Sequence, residues 1–174
     1  MSSYQYHSSL SEFIDAPEEV QNLLGIWKRL KSENNFPLKS ELNPVNFRDF
    51  LGRLCVVEIK QDPLDFLYRL DGTEISASSN EDLAGHSLLD GTPKEIYQKH
   101  FAEFKTTFEA AKPVVWEVSY SIDEGDYHYL RVMLPFARDS LSTSKSPDFF
   151  ITYCHSLISP TGSFDSYRQL SSDW

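Results

Sequence analysis

Apolar residues along this chain recur at two spacings, three or four positions apart and two apart, and the order of those stretches predicts the elements. Val20, Leu23, Leu24, Trp27 and Leu30 keep to the first spacing, the signature of one helix face. Asp15-Ala16-Pro17-Glu18 ahead of them reads as a capping box, and Lys28, Arg29 and Lys31 at the far end complement the helix dipole, so an amphipathic helix is expected from Asp15 or Pro17 to Lys31. Tyr97, Phe101, Phe104 and Phe108 repeat the pattern over 93–111, with Thr92 as N-cap, Glu95 three residues on and Pro113 as the stop. The remaining apolar runs read as strands: Leu54 to Lys60, a second through Phe66, Tyr68 and Leu70, then Val114 to Ser121, Tyr127 to Leu134 and Phe149 to Ser156.

The connections suit that reading. Asp62-Pro63 makes a tight turn and joins the first two strands into a hairpin, while Asn43-Pro44 and Gly52 have the residue types of a short helix's start and stop. The acidic turn 122–126 and the polar loop 137–147 join the last three strands into an antiparallel meander. Those strands are apolar on both faces: Leu130, Val132 and Leu134 alternate with Tyr127, Tyr129 and Met133, and Phe150 alternates with Phe149, Ile151 and Tyr153. A half-solvated sheet would show a polar face, so both sides need a cover. The helix over 93–111 supplies one. The N-terminal helix supplies the other, from the same chain or from a partner.

At 174 residues with 40% hydrophobic content the chain suffices for one domain with a substantial core, expected over 15–158, with 1–14 and 159–174 as disordered tails. A net charge of -10 argues against a nucleic-acid partner and against an anionic membrane surface, since both call for clustered Lys and Arg. The start MSSYQYHSSLSEF has neither the basic region nor the apolar run of a signal peptide, and the expected location is cytoplasmic. Cys55 and Cys154 lie in separate apolar runs, read either as buried, reduced thiols or as a redox pair.

The stretch from Asn43 to Leu88 carries the most specific signal: Asn43-Pro44, then Tyr68-Arg69-Leu70-Asp71-Gly72-Thr73, then Asp82-Leu83-Ala84-Gly85. In order and spacing it resembles a PAS domain, in particular the short bacterial proteins built from little more than one such unit. Asn43, Asn80 and His86 stand where that family tends to carry an acidic residue, a glycine and an arginine. The resemblance implies an α+β fold: a five-stranded antiparallel sheet of order 2-1-5-4-3 with helices on a ligand-facing side, to which the N-terminal amphipathic helix is an addition. It also makes the first and fifth strands neighbours, which brings Cys55 and Cys154 near each other.

The function so implied is a non-enzymatic sensory, ligand-binding or protein-interaction module that signals to a separate partner. The ligand region would lie between the long helix and the sheet, lined by Tyr97, His100, Phe101, Phe104 and Phe108, with Tyr68, His86, Trp116 and Tyr129 around it; the aromatic stripe is either plain core or one wall of a cavity for a small apolar ligand. Relatives that bind haem resemble this chain in taking an axial histidine from the corresponding helix, where His100 stands. Flavin photochemistry needs a cysteine on a short helix, whereas Cys55 and Cys154 are on strands. Val20, Leu23, Leu24, Trp27 and Leu30 are the expected contact of a homodimer, through a sheet or a twin helix. Histidine and cysteine spacings match no metal site. The competing class is a small acid/base enzyme on a cone-shaped α+β fold, with Asp126/His128 or Asp82/His86 as the pair. Arg69 and Arg131, each set among apolar neighbours, are expected to pair with Glu58 or Glu117.

Overall fold

The computed structural model describes residues 5–74, 76, 82–92, 94–122, 125–139 and 145–158. Six strands and two long helices form the frame: β1 Gln5–Ser11, α1 Glu18–Lys31, β2 Leu54–Lys60, β3 Asp65–Leu70, α2 Lys94–Ala110, β4 Val114–Ile122, β5 Gly125–Phe136 and β6 Phe149–Ile158. All strands belong to one antiparallel sheet of order β1-β4-β5-β6-β2-β3. The expectation of five strands in the order 2-1-5-4-3 is corrected in count and in order. Residues 5–11, expected as part of a tail, pair with β4 over their whole length, from Gln5 opposite Ser121 to Ser11 opposite Val115. The other five strands keep the neighbours expected of them.

Alternation along the strands sends side chains to two cores. Leu54 and Val56 of β2, Val115 of β4, Leu130, Val132 and Leu134 of β5, and Ile151 and Tyr153 of β6 face α1. Val57, Ile59, Trp116, Val118, Met133 and Phe150, one register step away, face α2. Both covers come from the same chain. Val20, Leu23 and Trp27 of α1 are buried, and the Trp27 indole N–H donates to the Pro135 carbonyl over 2.8 Å, which satisfies its one polar group inside the core. Three of the five residues expected at a homodimer contact are thereby used within the chain, leaving Leu24 and Leu30 half-buried. The helix begins after Pro17 without a side-chain cap; Asp15 belongs to a separate turn, Phe13–Asp15.

Between α1 and β2 no α-helix forms. The Asn43 side chain accepts from the N–H groups of Val45 and Asn46, both at 3.1 Å, as an N-cap would, but the chain continues in turns that end in a 3-10 turn, Leu51–Arg53. Eight residues before Gly52 are too few to nucleate a helix on their own, and the buried rings of Phe47 and Phe50 hold the segment instead. Past β3, Gly72 passes so close to the Gly52 carbonyl that a Cβ there would lie 2.3 Å from its oxygen. Gly85 takes a φ of 89°, a left-handed turn that favours glycine. Asn80 lies outside the described residues.

Cys55 and Cys154 are both buried, and neither is in a disulfide. Cys55 stands opposite Thr152, so Cys154 is its diagonal neighbour on the same face, a separation of about 7–8 Å that a disulfide does not span without backbone movement. The Cys55 thiol donates to Asp71 over 3.1 Å.

Candidate functional site

Helix α2 does not present to the sheet the face its aromatic stripe suggests. The most buried residues are Ile96, Glu103, Phe104 and Thr107, while Tyr97, Phe101 and Phe108 sit at half-buried flanks. The helix is rotated by about one position, and that rotation brings a carboxylate inside. Opposite it on β5, Arg131 points to the same side of the sheet from between two residues of the α1 core, Leu130 and Val132.

Glu103 and Arg131 form an ion pair in which each side chain is only 3% exposed. An isolated charge in that position would be prohibitive, so the remaining donors and acceptors are the deciding question. The Tyr6 hydroxyl of β1 donates to the second Glu103 oxygen over 2.7 Å. Arg131 donates through Nη2 to the Tyr129 hydroxyl over 3.2 Å and to His100 Nε2 over 3.3 Å, and its guanidinium lies 5.9 Å from the Phe104 ring. Since a guanidinium only donates, His100 Nε2 accepts, and the imidazole is neutral with its proton on Nδ1. Burial first, and then the Arg131 charge, push the His100 pKa well below its ordinary value. The His100 ring meets Tyr6 edge-on at 5.3 Å, and Lys99 caps the Tyr6 carbonyl over 2.9 Å. One turn on, Thr107 donates to the Glu103 carbonyl and accepts from the Trp116 indole over 3.1 Å.

Beside this polar knot lies a ring cluster. Phe66 of β3 packs on Phe104 at 5.1 Å and on Phe101 at 5.6 Å between centroids, Phe150 of β6 lies 6.4 Å from Phe104, and Tyr97 lies 5.8 Å from Phe101. Phe101, Phe104, Tyr97, Trp116, Tyr129 and His100 are thus brought to one side of the sheet: Tyr97 meets Phe101 directly, Phe66 joins Phe101 to Phe104, Arg131 joins Phe104, Tyr129 and His100, and Thr107 holds Trp116. Phe108 joins the same core from its rim. Tyr68 lies at the edge, where its main chain exchanges hydrogen bonds with the Gly85 N–H and the His86 carbonyl; the His86 side chain is exposed. A groove of about 270 Å³ lies elsewhere, against α1, lined by Phe13, Ile14, Gln21, Leu24, Gly25 and Lys28.

The expected acid/base pairs are not assembled. Asp126 accepts from Ser121 over 2.7 Å while His128 contacts Glu117 over 2.7 Å, and the exposed Asp82 accepts from the Ala84 N–H within its own turn. His100 does not suit haem either, because Arg131 occupies its Nε2. Among the described residues no group of three His, Cys, Asp or Glu is placed to hold a metal ion.

A second carboxylate is buried at the far edge. Glu58 of β2, 6% exposed, meets Arg69 of β3, Lys60 over 3.0 Å and Arg138 over 2.8 Å. Burial works to raise its pKa, and the three cations overcome that and hold it at about 2. Glu58 is therefore the partner of Arg69, as one of the two expected pairings has it. Arg131, expected with Glu58 or Glu117, pairs with Glu103 instead.

Sequence reasoning missed Glu103 and Tyr6. Arg131 was the available signal, since an arginine in a doubly apolar strand demands a buried anion; nothing in the local sequence distinguishes Glu103 from the surface carboxylates of the same helix. Compared with known proteins, the chain matches the model of one family, described as the PAS domain, over residues 16–146. β1 precedes that stretch and β6 follows it. No curated protein and no solved structure matches the chain. Among the described residues no helix is long and apolar enough to cross a membrane.

Proposed function

Because the chain belongs to the PAS domain family, we propose that it is a non-enzymatic sensory module that passes its signal to a separate partner by protein contact and keeps no ligand chamber of its own. One observation carries this reading: among the described residues, the rings between α2 and the sheet are in contact with one another. Phe66, Phe101, Phe104 and Phe150 touch ring to ring, and the charges beside them are closed on one another. A small apolar ligand between these rings would have to displace side chains in contact, at the cost of the packing that holds α2. A closed interior answers instead to contacts at the surface, through small shifts of the elements packed on it.

Native mass spectrometry and an absorption spectrum of freshly purified protein test the reading. The expected result is the mass of the polypeptide, in one or more copies, and no absorbance beyond that of aromatic side chains. A co-purified organic mass, or a visible band of a haem or flavin, overturns it.

A further inference from the structure

We infer that the rim of the sheet around Glu58 is a docking surface for an acidic segment of a partner protein, held there by Lys39, Lys60, Arg69 and Arg138. This rests on the proposed action by protein contact and gives the partner a chemistry. The first observation is a surplus of cations. Glu58 points to the same side of the sheet as Val56 and is buried, so it needs a positive partner; it meets Lys60, Arg69 and Arg138. Lys39 joins them, its ammonium 4.7 Å from the centre of the buried Phe149 ring, with the Arg138 guanidinium 4.9 Å from the same ring. Phe149 stands opposite Glu58 in the sheet, so these charges form one cluster. Asp139 and Asp148 offset part of the Arg138 charge, and Asp65, opposite Lys60, turns its carboxylate to the Phe66 N–H over 2.8 Å. Toward Lys39, Lys60 and Arg69 the rim stays positive in a chain whose net charge is -10.

The second observation is the donors left over. Arg69 reaches Glu58 through Nε, and Arg138 reaches it through Nη2. Their other guanidinium nitrogens and the Lys39 ammonium donate to no described residue, and all four cationic side chains stand at the surface. A guanidinium fixed at one nitrogen by a buried anion presents the rest of its planar fork to a second carboxylate. Because Glu58 and Phe149 hold the side chains in place beforehand, less ordering is needed when a partner arrives.

Charge decides the kind of partner. A nucleic acid or an anionic membrane brings a dense row of phosphates, which would extend past this rim and meet the repulsion of an acidic chain. A few carboxylates on a protein segment meet the rim alone, since charges farther off than about 8 Å are screened at physiological salt. Glu58, set beneath the cations, favours such spaced single charges over a compact multiple one.

Fluorescence anisotropy of a labelled peptide of alternating Glu and Gly, titrated with the intact protein, tests the assignment. Binding is expected, weakening as salt is raised, and the same peptide with Gln for Glu should not bind. Arg69→Gln should weaken binding about tenfold, the loss of one charge-assisted pair. Since Arg69 also serves Glu58, Lys39→Gln is the cleaner variant: Glu58 keeps all its partners, so the melting temperature should hold while binding weakens. Lys105→Gln removes the same charge from the exposed side of α2 and should leave affinity unchanged. No binding of the Glu peptide, equal binding of the Gln peptide, or a loss with Lys105→Gln as large as with Lys39→Gln each overturns the inference. So does tighter binding of a single-stranded oligonucleotide or of phosphatidylserine vesicles. The proposed closed interior is judged by native mass and absorbance alone, so either idea can fail without the other.

Discussion

The two faces of the sheet are closed in different ways. Under α1 the filling is aliphatic and aromatic, and the one buried polar group the helix brings, the Trp27 indole, is answered by a main-chain carbonyl. Under α2 the rings of Phe66, Phe104 and Phe150 share the space with a buried ion pair whose partners come from three separate elements, β1, α2 and β5. The first face tolerates exchange of one apolar shape for another. The second is specified by polar matching, because any shift of α2 along the sheet parts Glu103 from Arg131 and Tyr6, and each parted group is then a buried charge or hydroxyl without a partner.

Breaking the ion pair should show the largest effect. Arg131→Met leaves Glu103 buried with only the Tyr6 hydroxyl, and is expected to cost about 3–5 kcal/mol in urea unfolding. The double variant Arg131→Met, Glu103→Leu should recover most of that loss, since the cost lies in the stranded charge. A single-variant cost below about 1 kcal/mol would mean that the pair behaves like a surface bridge and that the two faces are alike.

Ring removal sharpens the comparison. Phe104→Ala should cost about 3–5 kcal/mol and Leu23→Ala on the α1 face about 2–5 kcal/mol, both through cavities. In a thermal-shift panel of small aromatic hydrocarbons, the wild type should stay flat and Phe104→Ala should be stabilised by compounds that refill the space. Stabilisation of the wild type would show a chamber already present under α2.

Much of this architecture was legible and some was not, for physical reasons. The α1 stripe and the doubly apolar strands show their periods because burial on those faces is apolar throughout. The face of α2 misleads because bulky rings reach the core from a helix flank, so the stripe of Tyr97, Phe101, Phe104 and Phe108 is offset from the buried line through Ile96, Glu103 and Thr107. β1 is nearly silent: among its seven residues only Tyr6 is buried, and Gln, His and Ser fill the remaining positions except Leu10. Its strand character comes from pairing with β4, a non-local cause that no window of sequence contains.

The rim of the α1 side carries its own carboxylate, and acid separates it from the interior pair. Glu58 is ionised in the folded protein down to about pH 2, below the ordinary value of 4.5 expected on unfolding, so the stability it contributes is present above pH 4.5 and is lost as pH falls toward 2. With half-exposed cations screening the interaction, the loss should be about 2 kcal/mol. Glu58→Gln should flatten the unfolding free energy over that range, and a slope unchanged by the substitution would remove Glu58 from the account.

The smallest effect should come from His100, and its sign follows from which state holds more protons. Burial and the Arg131 charge keep the imidazole neutral in the folded protein at pH values where the unfolded chain, with its ordinary value of 6.5, takes up a proton. The unfolded state therefore binds more protons, and the contribution is fully present above pH 6.5 and shrinks as pH falls below it. A single group cannot impose more than about 1.4 kcal/mol per pH unit. His100→Asn keeps an oxygen that can accept from Arg131 and removes the titration, so the variant should lose stability less steeply than wild type between pH 6.5 and 5. That window lies above the range where Glu58 acts, and the other histidines contribute equally to both proteins. Equal slopes would mean that burial and the Arg131 charge do not hold His100 neutral in the folded protein, and that its contact with Arg131 does not order the point where Tyr6 crosses α2.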